Sequence, residues 1–108
     1  MFQIVSFGKD SLVGWDCLFM DTDFHFLTRE DGTTTSKSGS IHIGDNNWFG
    51  CCCKVLKNTS TTNDITIAAN TLLTGNYTDG GDSKSVIGND SRVRVIKTGL
   101  WRNPRNYT

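Results

Sequence analysis

The sequence predicts an all-β fold, a parallel β-helix of about three coils, and three observations carry that expectation. A bulky aliphatic or aromatic residue recurs every six positions: Ile43, Phe49, Val55, Ile67 and Leu73, with Thr61 the one lapse. The residue after each of these anchors is small (Gly44, Gly50, Thr62, Ala68, Thr74), Leu56 being the exception. Four places past each anchor stands a side chain that is mostly modest in size: Asn47, Cys53, Thr59, Ile65 and Thr71. A period of six is neither the helical repeat nor the alternation of a flat sheet. It fits a short strand and a sharp turn, repeated, with every anchor pointing into a narrow interior.

The elements follow in order. Phe7-Gly8, Val13-Gly14 and Phe19 are anchors six apart, with Ser11 and Cys17 in the modest slot, so the chain opens with about one turn of a three-sided coil. Residues 22–40 break the pattern. They are polar, rich in Thr, Ser and Gly, and too long for a tight turn; such loops in a compact domain are functional or disordered. The repeat resumes at Ile43 in phase with Phe19, so the loop is expected to be extruded from a coil that continues beneath it. Ile43 to about Thr78 supplies two further coils, with Thr61-Thr62 as their weak side. Gly80-Gly81 marks an exit turn. Val86-Ile87 and Val93 to Ile96 read as a final strand pair, and Trp101 to Thr108 is a polar tail. The whole chain, 1–108, is expected to form one domain, with 79–108 as its C-terminal segment.

Composition excludes several classes. The formal net charge is zero, which argues against a nucleic-acid or membrane-surface footprint. No apolar run reaches membrane-spanning length, and the N-terminus lacks the pattern of a secretion signal, so the cytoplasm is the expected location. Cys17 and the run Cys51-Cys52-Cys53 have no zinc-type spacing and read as reduced residues on strands, Cys53 facing inward. Sequons at Asn58, Asn76, Asn89 and Asn106 are then chance matches. Gly8-Lys9-Asp10-Ser11 lacks the glycine spacing of a nucleotide loop and reads as a coil turn.

Four boxes then carry a resemblance. Ile43-Gly44-Asp45-Asn46-Asn47-Trp48-Phe49-Gly50 resembles the I-G-D-N-V-W-I-G box of hexapeptide-repeat acyltransferases, and Ile67-Ala68-Ala69-Asn70-Thr71-Leu72-Leu73-Thr74 resembles their I-A-A-N-S-V-V-T segment. Gly88-Asn89 with Arg94-Val95-Ile96-Lys97 is similar to the closing G-N-P-A-K-V-I-K. Met20-Asp21-Thr22-Asp23-Phe24-His25 looks like the D-T-D-x-H that opens the family's active-site loop. The boxes stand in the family's order along nearly the whole chain. Maltose and galactoside O-acetyltransferases and the acetyltransferases of capsular or lipopolysaccharide synthesis are the relatives this implies.

The resemblance implies a left-handed β-helix, a homotrimer, and acetyl-CoA as co-substrate in the cleft between neighbouring subunits, with no metal. The implied reaction is acetyl transfer to a saccharide hydroxyl. His25 takes the place of the family's catalytic base, since a neutral imidazole within hydrogen-bond reach can take the proton of an attacking hydroxyl. Asp21 or Asp23 is expected to orient that imidazole or to meet the acceptor. On the acetyl-CoA side, Trp48 matches the indole near the pantetheine arm, its alternative being a surface aromatic at the coil edge. Cys51 falls where a small residue faces the thioester, and Ala69 and Thr74 match positions lining the channel. Arg92, Arg94 and Lys97 form a basic cluster, of which Arg94 and Lys97 are the expected phosphate contacts.

The family normally has coils and an N-terminal segment before the point where this sequence starts, and Gly75 stands where relatives often carry a phosphate-binding lysine. These differences favour a second expectation: a short, non-catalytic scaffold of the same fold that depends on subunit contacts for stability. A zinc-dependent carbonic anhydrase on this β-helix needs three histidines. The chain holds only His25 and His42, the latter expected to point outward.

Overall fold

A computed structural model describes residues 4–78, 84–89 and 93–103. The expected exit turn at Gly80-Gly81, Arg92 and residues 104–108 of the tail lie outside the described residues. Twelve strands and no helix occur among the described residues. The first coil is β1 (Val5–Phe7), β2 (Leu12–Val13) and β3 (Leu18–Met20). The second is β4 (Ile41–Ile43), β5 (Trp48–Phe49) and β6 (Lys54–Leu56). The third is β7 (Ser60–Thr61), β8 (Ile65–Ile67) and β9 (Leu72–Leu73). A fourth begins with β10 (Asn76–Tyr77) and β11 (Ser85–Asn89), and β12 (Val93–Thr98) turns back antiparallel on β11.

Successive coils stack in parallel register into three sheets: β1-β4-β7-β10, β2-β5-β8-β11-β12 and β3-β6-β9. The result is a left-handed parallel β-helix. Both periodic slots face its interior. Ile43, Phe49, Val55, Ile67, Leu73 and Ile87 fill the anchor slot, and Ile41, Cys53, Ile65 and the fully buried polar Asn47 and Thr59 the one two residues before it. The small residue after each anchor has a steric cause. A Cβ at Gly44 would lie 2.4 Å from the carbonyl oxygen of Thr62, and one at Gly50 2.7 Å from the backbone nitrogen of Ala69 in the coil above.

The modest slot has a polar function as well. Thr71 Oγ1 donates to the Ala68 carbonyl at 2.6 Å and Thr59 Oγ1 to that of Leu56 at 2.7 Å. Each thus satisfies a turn carbonyl that faces the interior. Thr61 is a correction to the expected weak side. It is buried, its hydroxyl donates to Asn47 Oδ1 at 2.7 Å and accepts from the Gly44 N–H at 3.0 Å, while Asn47 Nδ2 donates to the carbonyls of Asp45 and Thr62 at 2.9 Å each. The missing aliphatic anchor is therefore one half of a satisfied polar pair spanning two coils.

Seven corners turn through a left-handed residue three places past the anchor. Asp10, Asp16, Asn46, Cys52, Asn58, Asp64 and Asn70 all have φ between 51° and 65°. Asn and Asp tolerate this conformation because their short polar side chains bond locally, whereas Cys52 has no such compensation. The ends of the column differ. At the first coil, Phe7 and Val13 stay exposed even though they occupy anchor positions, because the described chain places no coil beneath them. At the other end, the segment after β12 returns along the corner of Asp10, Asn46 and Asp64. Arg102 donates to the Asp10 carbonyl and to Asn46 Oδ1, and Asn46 Nδ2 bonds both the Arg102 carbonyl and Asp64 Oδ1. No helix among the described residues is long and apolar enough to cross a membrane.

Candidate active site

The extruded segment is an ordered hairpin. It leaves the column after β3 and re-enters it at β4, at the corner between the third and first sheets. Its legs are tied by Gly39 N–H to the Asp21 carbonyl at 2.9 Å, Asp23 N–H to Lys37 carbonyl at 2.7 Å, and Thr35 N–H to Leu27 carbonyl at 2.8 Å. At the tip, Asp31 Oδ1 accepts from the Thr33 backbone N–H at 2.9 Å and from its hydroxyl at 2.7 Å. The Thr33 N–H bond lowers the Asp31 pKa, and the hydroxyl bond adds to it.

His25 sits on the first leg, its side chain exposed, between Phe24 (in the left-handed region, φ 66°) and Phe26. Phe24, Phe26 and Leu27 are all exposed beside it, and the Lys37 ammonium stands 5.6 Å above the Phe26 ring. An imidazole on a cross-bonded hairpin, with no described side chain bonding it, is available to an external hydroxyl. Asp21 and Asp23 are half-buried at the hairpin root. The Asp23 carboxylate is held by Lys57, 2.7 Å away, so it faces the coil.

Of the remaining expected residues, all but Thr74 lie on another side. Trp48 projects outward from β5, 41 % exposed. It stands in a register ladder that runs Leu12, Trp48, Thr66, Val86 and Lys97 across the second sheet. Lys97 therefore shares Trp48's face, three strands away, and Arg94 on the same strand pairs with Gly88. Cys51 and Ala69 lie at the corner beyond that sheet, where Asn70 N–H bonds the Cys51 carbonyl at 2.9 Å. Thr74 lies at the corner after β9, the same corner from which the hairpin springs two coils earlier.

Within one chain, then, Trp48, Cys51, Ala69 and Lys97 form one group and His25, Asp21 and Asp23 another, separated by the width of the third sheet. His42, on the first sheet, is exposed and its Nδ1 lies 3.0 Å from Ser6 Oγ. Two thiols are disfavoured as nucleophiles: burial pushes the Cys53 pKa up, and burial followed by the neighbouring Cys51 does the same at Cys52. Among the described residues no three of His, Cys, Asp and Glu gather as a metal site. Two features escaped the sequence reading: the Lys57 contact, which no motif marks, and the left-handed corners, which Asn or Asp at six-residue spacing would have betrayed.

No protein-family model matches the chain, and no curated protein matches it. Solved structures do. The polysialic acid O-acetyltransferase OatWY superposes with a TM-score of 0.83 at 21% identity, over 95% of this chain and 47% of that one. The polySia-specific acetyltransferase NeuO gives 0.73 at 14% identity, over 96% and 52%. A hexapeptide-repeat acetyltransferase from Vibrio cholerae O1 biovar eltor, complexed with acetyl coenzyme A, gives 0.65 at 14% identity, over 92% and 50%. The chain thus shares the β-helix of hexapeptide-repeat O-acetyltransferases and spans about half the length of these structures.

Proposed function

We propose that the chain is the catalytic column of an acetyl-CoA-dependent O-acetyltransferase that acts on a saccharide hydroxyl in the cytoplasm. In this reading three copies assemble side by side. His25 of one protomer then meets the Trp48 face of its neighbour, and acetyl-CoA lies between them. The observation that carries the reading is the division just described: a free imidazole on a braced hairpin at one corner, and an aromatic-to-cationic ladder on a different side.

His25 works as a general base. Its free nitrogen takes the proton of the acceptor hydroxyl as that oxygen attacks the thioester carbonyl, then returns it to the departing thiolate of coenzyme A. The C–O bond forms, the C–S bond breaks, and the proton count balances. Such a base contributes about 10² to 10⁴ in rate. Trp48 offers an amphipathic ring to the pantetheine arm. Cys51 and Ala69 on the Trp48 side, and Thr74 at the hairpin corner that faces them across the cleft, are small enough to leave corner backbone open to its amides, and Lys97 with Arg94 supplies charge for the phosphates. Asp21 is the carboxylate at the hairpin root left to meet the acceptor.

A non-catalytic scaffold is the second reading, favoured by Gly75, whose nearest side-chain neighbour is Tyr77 at 3.6 Å from an added Cβ and which offers no cation. Thermal shift with acetyl-CoA and a free-thiol assay with a panel of saccharides separate the two. The enzyme reading expects binding by wild type and by His25→Ala, with turnover lost only in the variant. Absence of binding, or equal turnover in both proteins, refutes it.

A further inference from the structure

The hairpin that carries His25 is bonded to itself along both legs, which orders it internally but does not fix its angle to the column. That constraint comes from the corner of the second coil. Lys57, just past β6, places its ammonium 2.7 Å from Asp23 Oδ2 and also donates to the Ser36 carbonyl. Asp23 belongs to one leg and Ser36 to the other, so one cation spans the hairpin two residues before His25. The Lys57 side chain is only 19% exposed and that of Asp23 35%, which places the pair in a lower dielectric than an open surface pair. The next residue adds a second hold. Asn58 N–H donates to the Ser40 carbonyl at 3.1 Å, and Gly39 packs so closely that a Cβ there would fall 2.0 Å from Asn58 Oδ1.

We propose that Lys57 is a positioning residue: its ammonium, shared between Asp23 and Ser36, sets the orientation of the hairpin and with it the place of the His25 imidazole. The proposal rests on His25 being the base, and it assigns Asp23 to the tether rather than to the acceptor. A base displaced by about 1 Å from its proton costs on the order of 100-fold in rate, so a loosened brace is felt in turnover.

The test compares Lys57→Met, which keeps the length of the stem and removes the charge, with Asp23→Asn, the double variant and Lys57→Arg. Lys57→Met is expected to lower kcat by about ten- to a hundredfold with the KM for acetyl-CoA unchanged. Amide exchange across 23–37 should accelerate while the strands of the coils keep wild-type protection. Asp23→Asn should match it, the double variant should be no worse than either, and Lys57→Arg should recover most of the rate. Wild-type kcat in Lys57→Met overturns the proposal. So does an Asp23→Asn that loses turnover while hairpin exchange stays as in wild type, since Asp23 then acts at the acceptor. If His25→Ala turns over as wild type does, the base reading fails; unchanged exchange in Lys57→Met then overturns the brace and accelerated exchange upholds it.

Discussion

Replacing Thr61 by Val restores the aliphatic anchor that the six-residue repeat lacks, and a hydrophobic-pattern argument therefore expects a more stable protein. The structure gives the opposite sign. Thr61→Val leaves Asn47 Oδ1, on a residue 0% exposed, without its 2.7 Å partner, and takes from the Gly44 N–H its 3.0 Å acceptor. An orphaned buried acceptor costs about 1–3 kcal/mol, and the lost bond at half-buried Gly44 adds about 0.5–1.5 kcal/mol. The hydroxyl-to-methyl exchange returns roughly 1 kcal/mol of apolar burial. The net is a destabilisation of about 0.5–3.5 kcal/mol, and in a chain of this size each kcal/mol lowers Tm by about 4–8 °C. Urea unfolding at fixed protomer concentration measures it as a lower Cm with unchanged m. A cycle with Asn47→Ala should show a coupling of about 0.5–3 kcal/mol, because both substitutions break one bond. Thr61→Val as stable as wild type, or more so, refutes the polar pair as the reason for the lapse.

Two further outcomes follow from local geometry. Cys52 holds φ 62° at a corner position where Asp16 and Asn70 stand in the coils below and above; Cys52→Asn should raise stability by about 1 kcal/mol, read as a higher Tm, and a fall would contradict the strain argument. Asp31 has its pKa lowered by its bonds to Thr33, so the tip cap is intact above the ordinary carboxylate pKa and is lost only as pH falls through the lowered one. The Thr33 amide resonance should titrate with a midpoint below the 3.8 of a free aspartate, and a midpoint at or above it would mean the cap does not form in solution.

Much of the column was legible because steric demands recur at fixed intervals. Phe49, Val55 and Leu73 were readable as interior from spacing alone, and Gly44 and Gly50 from the smallness that close stacking imposes. The final strand pair was readable from two apolar runs and became β11 and β12. What spacing could not convey was pairing between coils: Thr61 looked like a defect because its partner, Asn47, lies a whole coil away. Arg102 read as part of a polar tail for the same reason, since the corner it binds is assembled from Asp10, Asn46 and Asp64. At the candidate site, the motif around His25 gave only the expectation of an imidazole on the loop; the Lys57 contact that ties this loop to the column comes from the next coil and from no motif. The separation of Trp48 from His25 was hidden too, since a one-dimensional reading does not say on which side of a triangular column a residue falls.

The central claim is that the catalytic groups of one site come from two protomers, and trans-complementation tests it most directly. His25→Ala and Trp48→Ala chains are co-expressed and assayed at limiting acetyl-CoA beside each variant alone. A shared site predicts that mixing restores activity, because random assembly gives about a quarter of the interfaces an intact His25 facing an intact Trp48. Activity no greater than the mean of the two variants would contradict it.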